Sequence, residues 1–336
     1  MATPATGIRR LLIRLPNWLG DVMLARPLLH AVRRAQAQAE IRAVAPAPLV
    51  ALLERESTLD ARDPWPAPGS DRNRLAAELR AWRPEAAVVL PPSFSSAYFA
   101  WRTGAATRIG YRGDWRAALL THALRRPMRG EVHLSREYLA LGEVLGARTE
   151  EPPALTLPDR AMESATGLLR SLGLDTGRYV VMGPGALYGP AKRWGGERFA
   201  DLARRLTARG LAVLVCGAGS ERATCEDVAR AGGERVSALA GRTDLLTQAA
   251  LCARAAVAVC NDSGLAHLSA GTGTPTVVVF GSTSSAWTAP LGDRVRVVQH
   301  APVCAPCFQR TCRIGYRCLE AVTVEEVLRA VEEVAA

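Results

Sequence analysis

Lysine is nearly absent from this chain: among 336 residues there is one, Lys192, beside forty-one arginines. Almost every cationic position carries a planar guanidinium, so the single ammonium stands out before any motif is sought. Aromatic residues are also few, at 5% of the chain. No block of basic residues and no basic stripe interleaved with aromatics is present, which argues against nucleic acid as a partner. No apolar run approaches the ~20 residues that a membrane-spanning helix needs, so no transmembrane segment is expected. The opening stretch MATPATGIRRLLIRLPNWLGD lacks the continuous apolar core of a secretory signal, because Arg14 interrupts it. These absences point to a cytoplasmic protein, at most peripheral to a membrane.

The nucleotide fingerprints that an α/β chain invites are missing too. GAGSER (217–222) has G-x-G but places Arg where the third glycine belongs, and GPGALYG puts Pro184 between its glycines and Gly189 one residue too far. Neither matches the dinucleotide loop, and GPAKRW lacks the Gly-Lys-Ser/Thr of a P-loop.

What is present suits two packed domains. Apolar residues make up 49% of the chain, and its length accommodates two cores of ordinary size. The net charge is +10, unevenly spread: residues 1–160 hold 23 Arg against 16 acidic residues. Such an excess attracts anionic partners such as nucleic acid, a phosphorylated glycolipid or a membrane surface. It equally fits an Arg-rich solvated surface, and both readings stand.

Short apolar runs alternate with longer amphipathic ones, the pattern of βα units around a parallel sheet. RRLLIRL, IRAVAP and AAVVLPP read as strands in the first half; YVVMGPG, LAVLVCGAG, AAVAVCNDSG and TVVVFGS read as strands in the second. Between the halves, EEPPALTLPD (150–159) carries three prolines and no periodicity, and reads as a linker. The expected fold is α/β: two Rossmann-like doubly wound domains, 1–155 and 156–336, facing across a cleft. Ligands of open α/β sheets bind beyond the carboxyl ends of the strands, near helix N-termini.

Two loops carry most of the chemistry. In CNDSGLAHLSAG, Asn261 and Asp262 leave a buried strand, and Ser263 and Gly264 open a helix whose free N–H groups favour phosphate. His267 follows within the first turns. In RLPNWLGDVM, Asp21 sits where the first strand hands over to a helix, as a carboxylate able to accept a proton. Asp21, Asp262 and Ser263 are also residue types that cap helices, and spacing alone does not separate capping from catalysis. Near the end, Cys304, Cys307, Cys312 and Cys318 are spaced C-x₂-C-x₄-C-x₅-C. Four thiols suffice for one structural zinc, although this spacing is atypical of zinc fingers.

LPNWLGDVMLARPLL, PGALYGPAKRW with ERFADLARRL, and NDSGLAHLSAGTGTPTVVVFGSTSSAWTAP together resemble the signature segments of the family 9 glycosyltransferases. SFSSAYFAWRTGAATRIGYRGDWRAALLTH resembles the family's acceptor-side region. The resemblance implies a GT-B fold, with acceptor on the first domain and nucleotide-sugar on the second. It implies inverting transfer of heptose from ADP-L-glycero-D-manno-heptose to the inner core of lipopolysaccharide, on the inner face of a Gram-negative inner membrane. No cofactor or catalytic metal is implied; ADP-heptose is a substrate.

Carried over residue by residue, Asp21 matches the catalytic base and Lys192 the lysine that meets the donor's diphosphate. Asp262, Ser263, Gly264 and His267 match the donor-site motif. Glu221 aligns more loosely with an acidic residue for the adenosine ribose. First-domain arginines such as Arg108, Arg112 and Arg116 suit either an anionic acceptor or ordinary surface charge. Alternatives that stay open are another donor or acceptor within the family, and a GT-B-shaped nucleotide-sugar epimerase. The last helix, TVEEVLRAVEEV, is of a kind that such folds often pack back on the first domain.

Overall fold

The alternation of apolar runs and amphipathic stretches becomes strand and helix in turn. A computed structural model describes residues 7–67, 69–149 and 151–335. Residues 1–6 of the expected signal-free N-terminus, and Glu150 at the head of the expected linker, lie outside the described residues.

The first unit begins with β1 (Arg10–Arg14), α1 (Leu19–Ala35), β2 (Glu40–Ala45) and α2 (Ala47–Leu52). It continues through β3 (Ala61–Pro64), α3 (Ser70–Trp82), β4 (Ala86–Val89) and α4 (Phe94–Arg102). It ends with β5 (Thr107–Tyr111), β6 (His122–Leu124) and α5 (Leu134–Gly142). The sheet order is β3-β2-β1-β4-β5-β6, and each neighbouring pair is parallel. Winding reverses between β1 and β4, so the loop leaving β1 opens at the switch point where α/β sheets bind ligands.

The second unit opens with α6 (Asp159–Ser171), β7 (Tyr179–Gly183), α7 (Gly196–Thr207) and β8 (Ala212–Val215). It proceeds through α8 (Arg222–Gly232), β9 (Val236–Ala238), α9 (Leu245–Ala253) and β10 (Val257–Asn261). After α10 (Gly264–Gly271) come β11 (Thr276–Phe280), α11 (Ser285–Thr288) and β12 (Val295–Gln299), then α12 (Arg317–Glu320) and α13 (Val324–Ala335). The order β12-β11-β10-β7-β8-β9 is the same winding, with its reversal between β7 and β10. Both units are therefore α/β and Rossmann-like. Among the described residues no helix is long and apolar enough to cross a membrane.

The chain divides between Pro153 and Ala154, two residues ahead of the expected boundary. Leu155 already belongs to the second unit: it is buried, and its N–H donates to the Gly271 carbonyl at 2.7 Å. Helix α13 packs on β10, β11, β12 and α7, with Val327, Ala330 and Val331 in the second core. Its apolar stripe thus packs on its own sheet.

Under the first unit, α1 buries an ionic cluster. Arg26 Nε donates to Glu56 Oε2 at 2.8 Å, and His30 Nε2 lies 3.0 Å from Oε1 of the same carboxylate. Burial alone would raise the Glu56 pKa, but the His30 hydrogen bond and the Arg26 charge outweigh it and bring it from 4.5 to about 2. Glu56 thus favours folding fully above about pH 4.5, and that contribution fades as pH falls through the range down to about 2. Glu56→Gln is expected to lose about 3–5 kcal/mol at neutral pH, because a buried guanidinium is stranded. The same variant should flatten the acid limb below pH 4.5, as read by urea unfolding across pH.

Candidate active site

At the switch point of the second sheet, Gly183 of β7 pairs with Cys260 of β10, so Pro184 and Asn261 leave the strands side by side. Asn261 is fully buried and staples the two loops. Its Nδ2 donates to the Pro184 carbonyl at 2.7 Å, and its Oδ1 accepts the Trp194 N–H at 3.0 Å. Loop 184–194 is thereby held at both ends, and Lys192 is presented from a short 3-10 turn inside it (Pro190–Lys192).

Lys192 Nζ lies 2.5 Å from Asp262 Oδ2, with the two side chains 14% and 4% exposed. The same carboxylate oxygen accepts the Thr283 hydroxyl at 2.5 Å, and the ammonium sits 4.9 Å from the Tyr188 ring centroid. One buried anion thus positions one cation, with an aromatic face beside it.

This arrangement separates the readings left open by the sequence. Ser263, not Asp262, occupies the N-cap of α10, and its side chain makes no capping hydrogen bond. The Asp262 carboxylate is committed to Lys192 and Thr283. Ser263 and Gly264 are half-buried at the helix N-terminus, where backbone N–H groups have no intrahelical partners. His267 is buried one turn further on.

Glu221 ends the 3-10 turn Gly219–Glu221 after β8, and its Oε2 accepts the Ala218 N–H at 2.8 Å. A Cβ built on Gly185 would overlap the Glu221 carboxylate, and one on Gly217 would lie 2.8 Å from its Oε2. The glycine pairs that mimic a dinucleotide fingerprint therefore make room for this side chain. Glu221 reaches the loop after β7, and so shares one end of the sheet with Lys192 and Asp262.

In the first unit the loop after β1 delivers Asp21. Trp18 is the N-cap of α1, so Asp21 lies within the first turn as a half-buried carboxylate and does not cap the helix. Burial, and next the Asp21 charge, push the Tyr138 phenol well above its usual pKa. Tyr138 lies on α5, the helix against which α1 packs. Arg14, whose charge breaks the apolar run in the sequence, braces this loop from inside. Its guanidinium donates to the Leu15 and Val44 carbonyls and lies 4.1 Å from the Trp65 ring centroid. Burial, then the nearby Arg72, lower its pKa to about 9.

With this geometry in place, the family model of glycosyltransferase family 9 (heptosyltransferase) matches residues 72–317, well over half of the chain. The chain belongs to glycosyltransferase family 9. It is 31% identical over 305 residues to lipopolysaccharide heptosyltransferase 2 of Salmonella typhimurium, covering 86% of this chain and 88% of that protein. The Escherichia coli protein of the same name is 30% identical over the same shares. The solved structure of E. coli ADP-heptose lps heptosyltransferase II superposes with a TM-score of 0.83 at 28% identity, covering 97% of this chain and 98% of that one. Two Rossmann-like units in this order make the fold GT-B, and the protein is a glycosyltransferase.

In this family 9 enzyme the cysteine segment backs the Lys192 loop. Ala191 N–H donates to the Arg310 carbonyl at 3.0 Å, and Ser282 N–H donates to the Ala191 carbonyl at 3.1 Å. Phe308 N–H donates to the Ser282 carbonyl at 2.8 Å, and the Tyr188 hydroxyl donates to the Phe308 carbonyl at 2.5 Å. Gly189, at φ +152°, lets the chains approach: a Cβ there would be 2.5 Å from the Arg310 oxygen. The four thiols are free, and among the described residues no three His, Cys, Asp or Glu side chains are placed to hold a metal ion. Hydrogen bonds from the Ile314 and Tyr316 N–H groups lower the Cys312 pKa.

Two first-domain arginines are structural. Arg116 is fully buried and donates to the Pro91 carbonyl, and Arg108 Nε donates to the Leu119 carbonyl at 2.7 Å. Arg112 is exposed. Sequence reasoning passed over Thr283, Tyr188 and the stapling role of Asn261. Each lies within a few residues of a strand's carboxyl end, and that position was the available signal.

Proposed function

We propose that this glycosyltransferase moves heptose from ADP-L-glycero-D-manno-heptose to a hydroxyl of the inner core of lipopolysaccharide, with inversion at the anomeric carbon. Relatives that share about 30% of its residues over most of both chains carry the name lipopolysaccharide heptosyltransferase 2. The observation that carries the chemistry is Lys192, held by Asp262 beside the open N-terminus of α10 at the sheet's switch point.

In this reading the first unit holds the acceptor and the second holds the donor. Asp21 takes the acceptor proton as its oxygen attacks the anomeric carbon from the face opposite ADP. The bond to the diphosphate breaks with its electron pair left on ADP, and charge builds on the leaving oxygen. Lys192, the Ser263 hydroxyl and the N–H groups opening α10 compensate that charge where it develops. Asp262 and Thr283 fix the ammonium, so little reorganisation is left to the moment of reaction. Glu221 accepts hydrogen bonds from the adenosine ribose, and His267 supports the α10 turn from within. The enzyme works in the cytoplasm, at the membrane that carries its acceptor.

The test is a donor panel. Melting shifts with ADP-, GDP- and UDP-sugars should single out ADP-heptose, and incubation with truncated lipopolysaccharide cores should add one heptose by mass. A shift with another nucleotide-sugar alone would reassign the donor, and isomerised ADP-heptose without any acceptor would replace transfer by epimerisation.

A further inference from the structure

Helix α4 inverts the usual rule of burial. It buries Ser96, Ala97, Phe99 and Ala100, and leaves Phe94, Tyr98 and Trp101 47%, 40% and 48% exposed. Positions 94, 98 and 101 fall on one stripe of a helix. Tyr98 stacks on both neighbours, with ring centroids 6.3 Å from Phe94 and 5.7 Å from Trp101. Mostly small side chains face inward and the large rings outward, the reverse of a helix whose outer face meets water.

A second element extends this face. The 3-10 turn Arg116–Leu119 packs on α4, and the residue just before it, Trp115, is 95% exposed. Asp114 and Trp115 both have positive φ, 44° and 59°, a conformation that non-glycine residues adopt at a cost. The buried Arg116 guanidinium ties the turn to the Pro91 carbonyl, just ahead of α4. Trp115 is therefore held out on a fixed base.

The charge along this stretch is mainly basic. Residues 94–116 contain four arginines, of which Arg116 is buried, against one acid, Asp114. Arg102 lies 5.8 Å from the Tyr98 ring centroid and donates to its hydroxyl at 3.3 Å, and Arg112 is exposed.

We propose that α4 and the Trp115 turn form a docking surface for a bilayer rich in anionic phospholipid. Trp and Tyr rings settle at headgroup depth, and arginines meet the lipid phosphates. A second copy of this chain would oppose the same excess of positive charge to itself. Single-stranded nucleic acid needs open ring faces to stack on, whereas Tyr98 already has a ring to either side. The inference concerns how the enzyme is held at a surface, and its test uses neither donor nor acceptor, so it stands or falls apart from the transfer reaction.

The full chain is mixed with phosphatidylcholine vesicles, with and without phosphatidylglycerol, and partition is read by co-sedimentation and tryptophan emission. Binding is expected with the anionic vesicles, with a blue shift. F94S/W101S/W115S should lower the partition coefficient by more than about tenfold. W115S alone, at the most exposed of the rings, should lower it measurably with an unchanged melting temperature. Equal binding by folded variants would overturn the proposal. So would no binding to either vesicle, or a dimer that the variants dissociate while lipid binding is unaltered.

Discussion

Lys192→Met is expected to lower heptose transfer by about 10²–10³-fold, the usual cost of removing one group that meets developing charge. It should also destabilise the second unit, because Asp262 is nearly buried and would lose its cation. Removing one partner of such a pair costs up to about 3–5 kcal/mol. The two effects can be separated. In K192M/D262N the stranded carboxylate is gone, so stability should largely return while transfer stays low. Recovery of transfer along with stability would show that the lysine serves only the fold. Lys192→Arg keeps the charge but replaces a compact ammonium with a planar fork suited to bidentate partners. It too is expected to cut turnover well beyond any loss of stability. Steady-state transfer and urea unfolding on the three variants provide the measurements.

Asp21→Asn should reduce turnover by about 10²–10⁴-fold, the range for one general base. Asn keeps the shape of the side chain and removes its charge, which near a helix N-terminus is worth about 0.3–1 kcal/mol, and urea unfolding reads the structural cost apart from turnover. Donor binding, read by the melting shift with ADP-heptose, should be unchanged. An Asp21→Asn enzyme with near-normal turnover, or one that no longer binds donor, would remove Asp21 from the role of base.

The architecture was largely legible because parallel strands buried on both faces read as plain apolar runs. All seven runs picked out in the sequence are strands. The four edge strands β3, β6, β9 and β12 escaped, as did β5 beside an edge. β3 is ARDP, β6 and β9 have three residues each, and β12 is only partly buried, so none carries the signal of a central strand. The site was legible as a set of positions but not as a set of contacts. Spacing could not distinguish Asp262 as a cap from Asp262 as the anchor of Lys192, because the deciding neighbour lies seventy residues away. The glycine pairs around Pro184 and Ala218 depart from a dinucleotide fingerprint by spacing, and the room they leave for Glu221 is visible only in three dimensions. The α4 aromatics were missed for a related reason: a ring on a helix reads as core until its direction is known.

The stretches 184–194, 281–283 and 308–310 are stitched to one another by main-chain hydrogen bonds and by the side chains of Tyr188, Ser282 and Arg310. Apart from those three, Lys192, Thr283 and the glycines at 185 and 189, exchange of side chains there would leave the main-chain links in place, whereas gaining or losing a single residue would slip every pairing at once. In this corner of the enzyme, inheritance should therefore be stricter about chain length than about the lettering of the remaining positions.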